Sequence, residues 1–261
     1  LLLEIAFKLL VDGEQQENSQ NRLRDSGQQF RIKAINIIDF PLESNPEVMN
    51  KFLTTVGVSS KWKINDVYGL DPELLATVPQ PVLAVLLLFP INEKFESYFK
   101  KQEEEKKSET VSPSLFFMKQ TVGNACGTIA LIHAVANNLD KIDLAPGHLK
   151  NFLDATKDLS AEARAEKLEA DEGLSTAHEE SAQGGQTEAP SRDENVNLHF
   201  ITLIHHSGGL YELDGRKSQP IPHGNTTPET FLEDAAKVCR ELMAVDPEEV
   251  HFTLVALTDA Q

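Results

Sequence analysis

Gln120-Thr121-Val122-Gly123-Asn124-Ala125-Cys126-Gly127-Thr128 lies between two apolar stretches of different character. Before it, Ser114-Leu115-Phe116-Phe117-Met118 is a short run of strand type. After it, Ile129-Ala130-Leu131-Ile132-His133-Ala134-Val135-Ala136 is apolar almost all round and Ala-rich, which reads as a buried helix. Gly123 marks a turn and Asn124 is a good helix N-cap, so Cys126 is expected in the first turn of that helix. There the aligned peptide dipoles and unpaired N–H groups favour an anion, hence the thiolate, the nucleophilic form of cysteine. Gly127 is expected to leave room for a substrate backbone. Taken alone, the same residues also describe a small buried hydrophobe, as most free cysteines are.

Further along, Asn197-Leu198-His199-Phe200-Ile201-Thr202-Leu203-Ile204-His205-His206 and Leu210-Tyr211-Glu212-Leu213-Asp214-Gly215-Arg216 flank Ser207-Gly208-Gly209, the pattern of a β-hairpin. With Ser207-Gly208 as the turn, His206 faces Gly209 and Ile201 faces Asp214. His199 then shares a face with Asp214 as its diagonal cross-strand neighbour, within side-chain reach. A carboxylate so placed can orient an imidazole, and an imidazole can activate a thiol. Singly, Asp214-Gly215 is an ordinary turn and His199 an ordinary strand residue; Cys, His and Asp in this arrangement are much less ordinary.

These residues resemble the ubiquitin carboxyl-terminal hydrolases, and among them the short isozymes. The resemblance is carried by Phe117-Met118-Lys119-Gln120-Thr121, Asn124-Ala125-Cys126-Gly127-Thr128, Leu198-His199-Phe200 and Leu210-Tyr211-Glu212-Leu213-Asp214-Gly215-Arg216. Pro41-Leu42-Glu43, Asp66-Val67-Tyr68-Gly69 and Asp71-Pro72-Glu73-Leu74-Leu75 extend it over residues 40 to 258 or so. It implies Cys126 as nucleophile, His199 as general base and acid, Asp214 as its orienter and Gln120 as an oxyanion-hole donor. Two preset donors, the Gln120 amide and the Cys126 N–H, suit a developing oxyanion, where one donor is worth roughly 3 kcal/mol. It also implies that Pro41, Leu42, Glu43 and Asp66 contact ubiquitin, the two acids facing the arginines of ubiquitin's C-terminal tail. Phe40, where close relatives carry Trp, departs from the family pattern at that edge.

Around this centre, Asn45-Pro46-Glu47 opens a helix to about Val56, and Lys61 to Tyr68 alternates as a strand. Asp71-Pro72-Glu73 starts a short helix, and Val82 to Phe89 is a strand buried on both faces. Lys100 to Lys107 reads as a solvated helix end and 160–170 as a charged helix. From Gly173 to Asn197 the composition predicts a long loop, and the resemblance implies that it crosses the active-site cleft and limits the bulk of the leaving group. Thr227-Pro228-Glu229 opens the last helix, to about Met243, which buries Cys239; His251 to Leu257 alternates and closes the sheet. His133 is expected to be a hydrogen-bonded core histidine, and His205 and His206 to be exposed by the turn.

Residues 1–39 are polar after an apolar start broken by charges, with no signal-peptide pattern, and are expected to form a mobile extension without a family counterpart. Residues 40–261 form one domain. Helices and strands interleave without βαβ alternation, so the class is α+β, helices around a mostly antiparallel sheet. The resemblance implies a papain-like cysteine-peptidase fold with a knotted backbone. Two cysteines far apart indicate a reducing compartment, hence a cytoplasmic protein, and the net charge of −17 excludes general affinity for nucleic acid. No run is long enough to span a bilayer.

The reading is therefore a monomeric, cofactor-free thiol hydrolase that cleaves after the C-terminal glycine of ubiquitin, with a ubiquitin-like modifier as a further partner. A protein that binds and sequesters ubiquitin with little turnover is the alternative. A cysteine peptidase for ordinary peptides would share the triad but not the long loop before His199.

Overall fold

The computed structural model describes residues 41–184 and 197–260. The expectations for residues 1–39, for Phe40 and for the latter part of the Gly173–Asn197 loop fall outside them. In chain order the elements are α1 (Pro46–Thr55), β1 (Trp62–Asp66), α2 (Pro72–Leu75), β2 (Val82–Pro90), α3 (Glu93–Lys106) and α4 (Cys126–Ala136). Then follow α5 (His148–Thr156), α6 (Ala161–Glu169), α7 (Glu172–Ala182), β3 (Leu198–His206), β4 (Gly209–Leu213), β5 (Ile221–Asn225), α8 (Phe231–Met243) and β6 (Thr253–Asp259).

The six strands form one sheet in the order β1-β6-β2-β3-β4-β5, every pairing antiparallel. Its central strands read as near-continuous apolar runs because both faces are covered. Ala84 and Leu86 of β2, Phe200 and Ile204 of β3, and Val255 and Leu257 of β6 face one core, with Met49 and Phe52 of α1 and the apolar residues of α4. The alternate residues Val85, Leu87, Phe89, Ile201, Leu203, Leu254 and Ala256 face the other, with Phe95 and Phe99 of α3 and Phe231, Ala235 and Leu242 of α8. Burying each large side chain in these layers contributes about 1.5–3 kcal/mol.

Helix α4 lies inside the first layer, with every residue from Cys126 to Val135 buried. That is why it carries no polar stripe. β3 grips its backbone through Thr202 Oγ1, which donates to Ala130 O at 2.9 Å.

Several expectations need correction. Ser114–Met118 is not a strand. Its backbone is held by side chains instead: the Phe116 N–H donates to Asn137 Oδ1 at 2.8 Å, Met118 N–H to His133 Nε2 at 3.1 Å, and Arg164 Nη1 to Phe117 O at 2.8 Å. These replace the partner strand that a buried extended segment otherwise needs. The stretch after Gly173 begins as α7, not as loop, with Asp171 Oδ1 capping the Leu174 N–H at 2.9 Å. Its buried face is built from Leu174, Ser175, Ala177, His178, Ser181 and Ala182, too polar a set to show an apolar period. Helix α8 starts at Phe231 rather than at Pro228. Strand β6 lies between β1 and β2 and so does not close an edge, and its uniform burial replaces the expected alternation. His205 and His206 are half-buried, the latter 2.9 Å from Ser114 Oγ. Helix α5 and strand β5 are further elements, not marked by any of the sequence patterns above.

Candidate active site

The hairpin forms in the expected register. Thr202 pairs with Leu213 and His206 with Gly209, across a turn in which Ser207 and Gly208 both take positive φ, 50° and 83°. His199 therefore reaches diagonally to Asp214, and its Nε2 lies 2.7 Å from Asp214 Oδ1. Both groups are almost wholly buried, 3% and 2% exposed. On the neighbouring strand Phe89 stands opposite His199 and meets its ring edge-on at 6.1 Å, which fixes the imidazole from the other side.

Cys126 is the first residue of α4 and stands near enough to His199 for its sulfur to favour the charged imidazole. With Nε2 committed to Asp214, Nδ1 is the nitrogen left for the thiol. The cap position belongs to Ala125, without a side-chain bond, and not to Asn124, which takes a left-handed φ of 60°. No acidic residue occupies the first turn of α4.

The electrostatics suit an ion pair. Burial disfavours a charged imidazole, but the Asp214 carboxylate, by its charge and its hydrogen bond, and then Cys126 outweigh it, pushing His199 up to about 9. Burial works against the Asp214 anion, and the His199 charge, its hydrogen bond, Lys217 and the Arg216 N–H together hold the carboxyl below its ordinary value. His133 is the contrast: burial pulls it down to about 3, its Nε2 accepts the Met118 N–H, and its ring stacks on Phe117 at 5.5 Å.

Gln120 lies in the segment before α4, where its Nε2 donates to Val122 O at 3.2 Å and its backbone N–H donates to Gly215 O at 2.8 Å. The first bond uses one of two amide hydrogens and leaves the second. Gly215 is required for this approach, since a Cβ there would stand 2.9 Å from Gln120 Cβ and 3.0 Å from its backbone nitrogen. The residue after the acid thus seats the residue expected to stabilise an oxyanion. Gly127 serves packing and not a substrate backbone: a Cβ there would meet Leu42 Cβ at 3.0 Å and the Phe200 ring at 3.3 Å.

The family model described as "Ubiquitin carboxyl-terminal hydrolase, family 1" matches residues 40–244. The chain belongs to this family. A ubiquitin carboxyl-terminal hydrolase of Drosophila melanogaster is 51% identical over 223 residues, covering 85% of this chain and 97% of the relative. The isozyme L1 enzyme of Homo sapiens is 49% identical over 221 residues, 84% and 98% of the two chains. A crystal structure of the Trichinella spiralis UCH37 catalytic domain bound to ubiquitin vinyl methyl ester matches with a TM-score of 0.68 at 26% identity, over 85% of this chain and 95% of that one. The protein is a cysteine-type ubiquitinyl hydrolase of α+β, papain-like fold.

The four residues expected to meet ubiquitin are not alike in this hydrolase. Pro41, Glu43 and Asp66 are half-buried, whereas Leu42 is 3% exposed and wedged over Gly127. Asp66 ends β1 and lines an open groove of about 660 Å³ with Tyr68, Met243, Val250 and Phe252. Tyr68 and Val250 are 78% and 76% exposed there, an apolar surface that sequence patterning did not single out.

Also missed was the buried polar group behind Asp214. Lys217 Nζ bonds Glu212 and, at 2.5 Å, Gln102 Oε1, while His223 Nε2 lies 2.8 Å from Glu212 Oε2. Burial opposes the Glu212 anion, yet Lys217 and His223 draw it down to about 2. The alternation of Leu210, Glu212 and Asp214 was the available signal, because it puts both acids on one strand face. Among the described residues no cluster of His, Cys, Asp and Glu could hold a metal ion, and no helix is long and apolar enough to cross a membrane.

Proposed function

We propose that Cys126, His199 and Asp214 carry out acyl transfer from the C-terminal glycine of ubiquitin, cleaving amide, ester or thioester adducts there. The observation that carries this reading is the buried His199–Asp214 pair, 2.7 Å apart, beside Cys126 at the start of a buried helix. Cys126 gives its proton to His199 and its sulfur adds to the glycyl carbonyl carbon. The carbonyl oxygen becomes an oxyanion, met by the Cys126 N–H and the second Nε2 hydrogen of Gln120. On collapse the C–N, C–O or C–S bond to the leaving group breaks and the His199 imidazolium supplies the leaving group's proton. Water, deprotonated by His199, then releases ubiquitin and restores the thiol. Asp214 keeps the imidazole oriented and favours its charged form throughout.

Glu43 and Asp66, both partly exposed, are the proposed partners of the arginines in the ubiquitin tail, and the net charge of −17 favours a basic partner. Pro41 flanks them. Leu42 acts from beneath, holding the start of α4 through its contact at Gly127. The groups named come from one chain, which supports a monomer as the active species, and two free cysteines suit a reducing compartment such as the cytoplasm. A ubiquitin-like modifier with the same tail chemistry would also be a substrate.

The test is release of a fluorophore from the C-terminus of ubiquitin by the chain and by Cys126→Ala, with affinities for ubiquitin measured on both. Turnover lost with affinity kept supports the hydrolase and its nucleophile. Tight binding without turnover in either makes the protein a ubiquitin carrier. Turnover retained by Cys126→Ala refutes the assignment.

A further inference from the structure

The four residues after β4 tie together groups that the reaction needs from distant parts of the chain. Asp214 Oδ1 holds His199 and also accepts the Arg216 N–H at 2.8 Å. Gly215 O accepts the Gln120 N–H at 2.8 Å. The Lys217 N–H closes the turn on Asp214 O at 3.0 Å, and Lys217 O accepts from Lys119 Nζ at 2.5 Å. One turn therefore carries the imidazole's carboxylate and also seats the segment that bears the oxyanion donor.

The Lys217 side chain fastens that turn to the rest of the fold. It is 2% exposed, with its ammonium on Glu212 and Gln102 and 4.2 Å from the Phe99 ring centroid. A buried ion pair is weak evidence for stability, since an apolar pair of similar volume often serves as well. A charge kept at this position therefore needs another account.

We infer that Lys217 is a positioning residue of the acyl-transfer site: seated on Glu212, Gln102 and Phe99, it locks the Asp214–Lys217 turn and presents a positive charge to the Asp214 carboxylate. This rests on the assignment of Cys126, His199 and Asp214 made above. The Lys217 charge is among the causes that hold Asp214 ionised against burial, after His199 itself. The other charges around the turn are accounted for. From α3, Glu96, Lys100 and Glu103 line a cavity of about 210 Å³ with Arg216, two acids against two bases. Glu103 is engaged by the Ser218 N–H and hydroxyl at 2.7 and 2.8 Å. From β5, His223 bonds Glu212. On α4, His133 is held neutral by burial through the physiological range. Lys119 is spent on a backbone carbonyl.

The experiment uses the full chain, with Lys217→Met, Lys217→Arg and the double variant Lys217→Met/Glu212→Gln, which leaves no uncompensated carboxylate if the single change unfolds the protein. kcat and KM for ubiquitin–fluorophore release are measured against pH, and the His199 ring is titrated by NMR. Removing a neighbouring positive charge raises nearby proton affinities. Lys217→Met should therefore lose about tenfold in kcat with KM unchanged, and the His199 titration and the acid limb of kcat should both rise by about one pH unit; the double variant removes a positive and a negative charge together, so it should show the same loss of kcat with little movement of the titration. Lys217→Arg keeps the charge and should leave both where they are. An unmoved titration in Lys217→Met, an undiminished kcat in the double variant, or an equal movement in Lys217→Arg overturns the inference. A wild-type chain without turnover refutes the acyl-transfer reading alone, because the NMR titration still decides the role of Lys217.

Discussion

Cys126 and Cys239 are both buried helical thiols, 8% and 0% exposed, in the two apolar layers on either side of one sheet. Cys126 begins α4, where backbone N–H groups are unpaired and the sulfur interacts electrostatically with the His199 ring. Cys239 lies in the middle of α8 among apolar side chains, where burial first and the Glu212 charge second push its thiol up to about 12. Burial alone makes a thiol inert, whereas burial beside a charged imidazole at a helix start readies it for attack.

The sharpest way to break this comparison is exchange of each sulfur. Cys126→Ala should lower ubiquitin–fluorophore release by on the order of 10⁵-fold or more, while Cys239→Ala should keep most of it. Comparable losses would show that the two helices do not differ as described. Next in size is Asp214→Asn, which removes the carboxylate that charges and orients His199; kcat should fall by roughly 10³-fold with ubiquitin affinity unchanged.

The same pair sets a pH dependence with a definite sign. His199 binds its proton more tightly folded, at about 9, than the ordinary 6.5. Its contribution to stability is therefore fully present below 6.5 and is lost as pH rises through about 9. Urea midpoints taken across that window should decline for the wild type and stay flatter for Asp214→Asn.

A smaller effect tests how α4 is seated. Gly127→Ala must displace Leu42 or the Phe200 ring and should cost about 1–3 kcal/mol by denaturant titration, together with some activity. The smallest effect belongs to Cys239→Ala, about 1 kcal/mol of stability for a lost buried sulfur. Alkylation of the native protein should then mark Cys126 and spare Cys239.

How much of this was legible varies along the chain. The His199–Asp214 pairing was readable because a tight turn sets the register of a hairpin, and the register sets which side chains meet. Helices α1, α2 and α6 were readable from caps, prolines and charge, which are local signals. Helix α7 was not, because its buried face is small and polar, with Thr128 Oγ1 of α4 lying 2.6 Å from His178 Nδ1. The path of Phe116–Met118 was equally hidden, since Asn137, His133 and Arg164, distant in sequence, supply its hydrogen bonds.

The sequence by itself determined the chemical cast: a thiol at the head of a buried helix, an imidazole and a carboxylate on one hairpin face, and two apolar layers around a sheet. Tertiary structure alone decided that β6 slots between β1 and β2, that Leu42 and not a substrate fills the space above Gly127, and that the Asp214–Lys217 turn seats Gln120. The division follows from range. Caps, turns and register act over a few residues and leave a local pattern, whereas these placements depend on contacts between segments far apart in the chain, which no local pattern records.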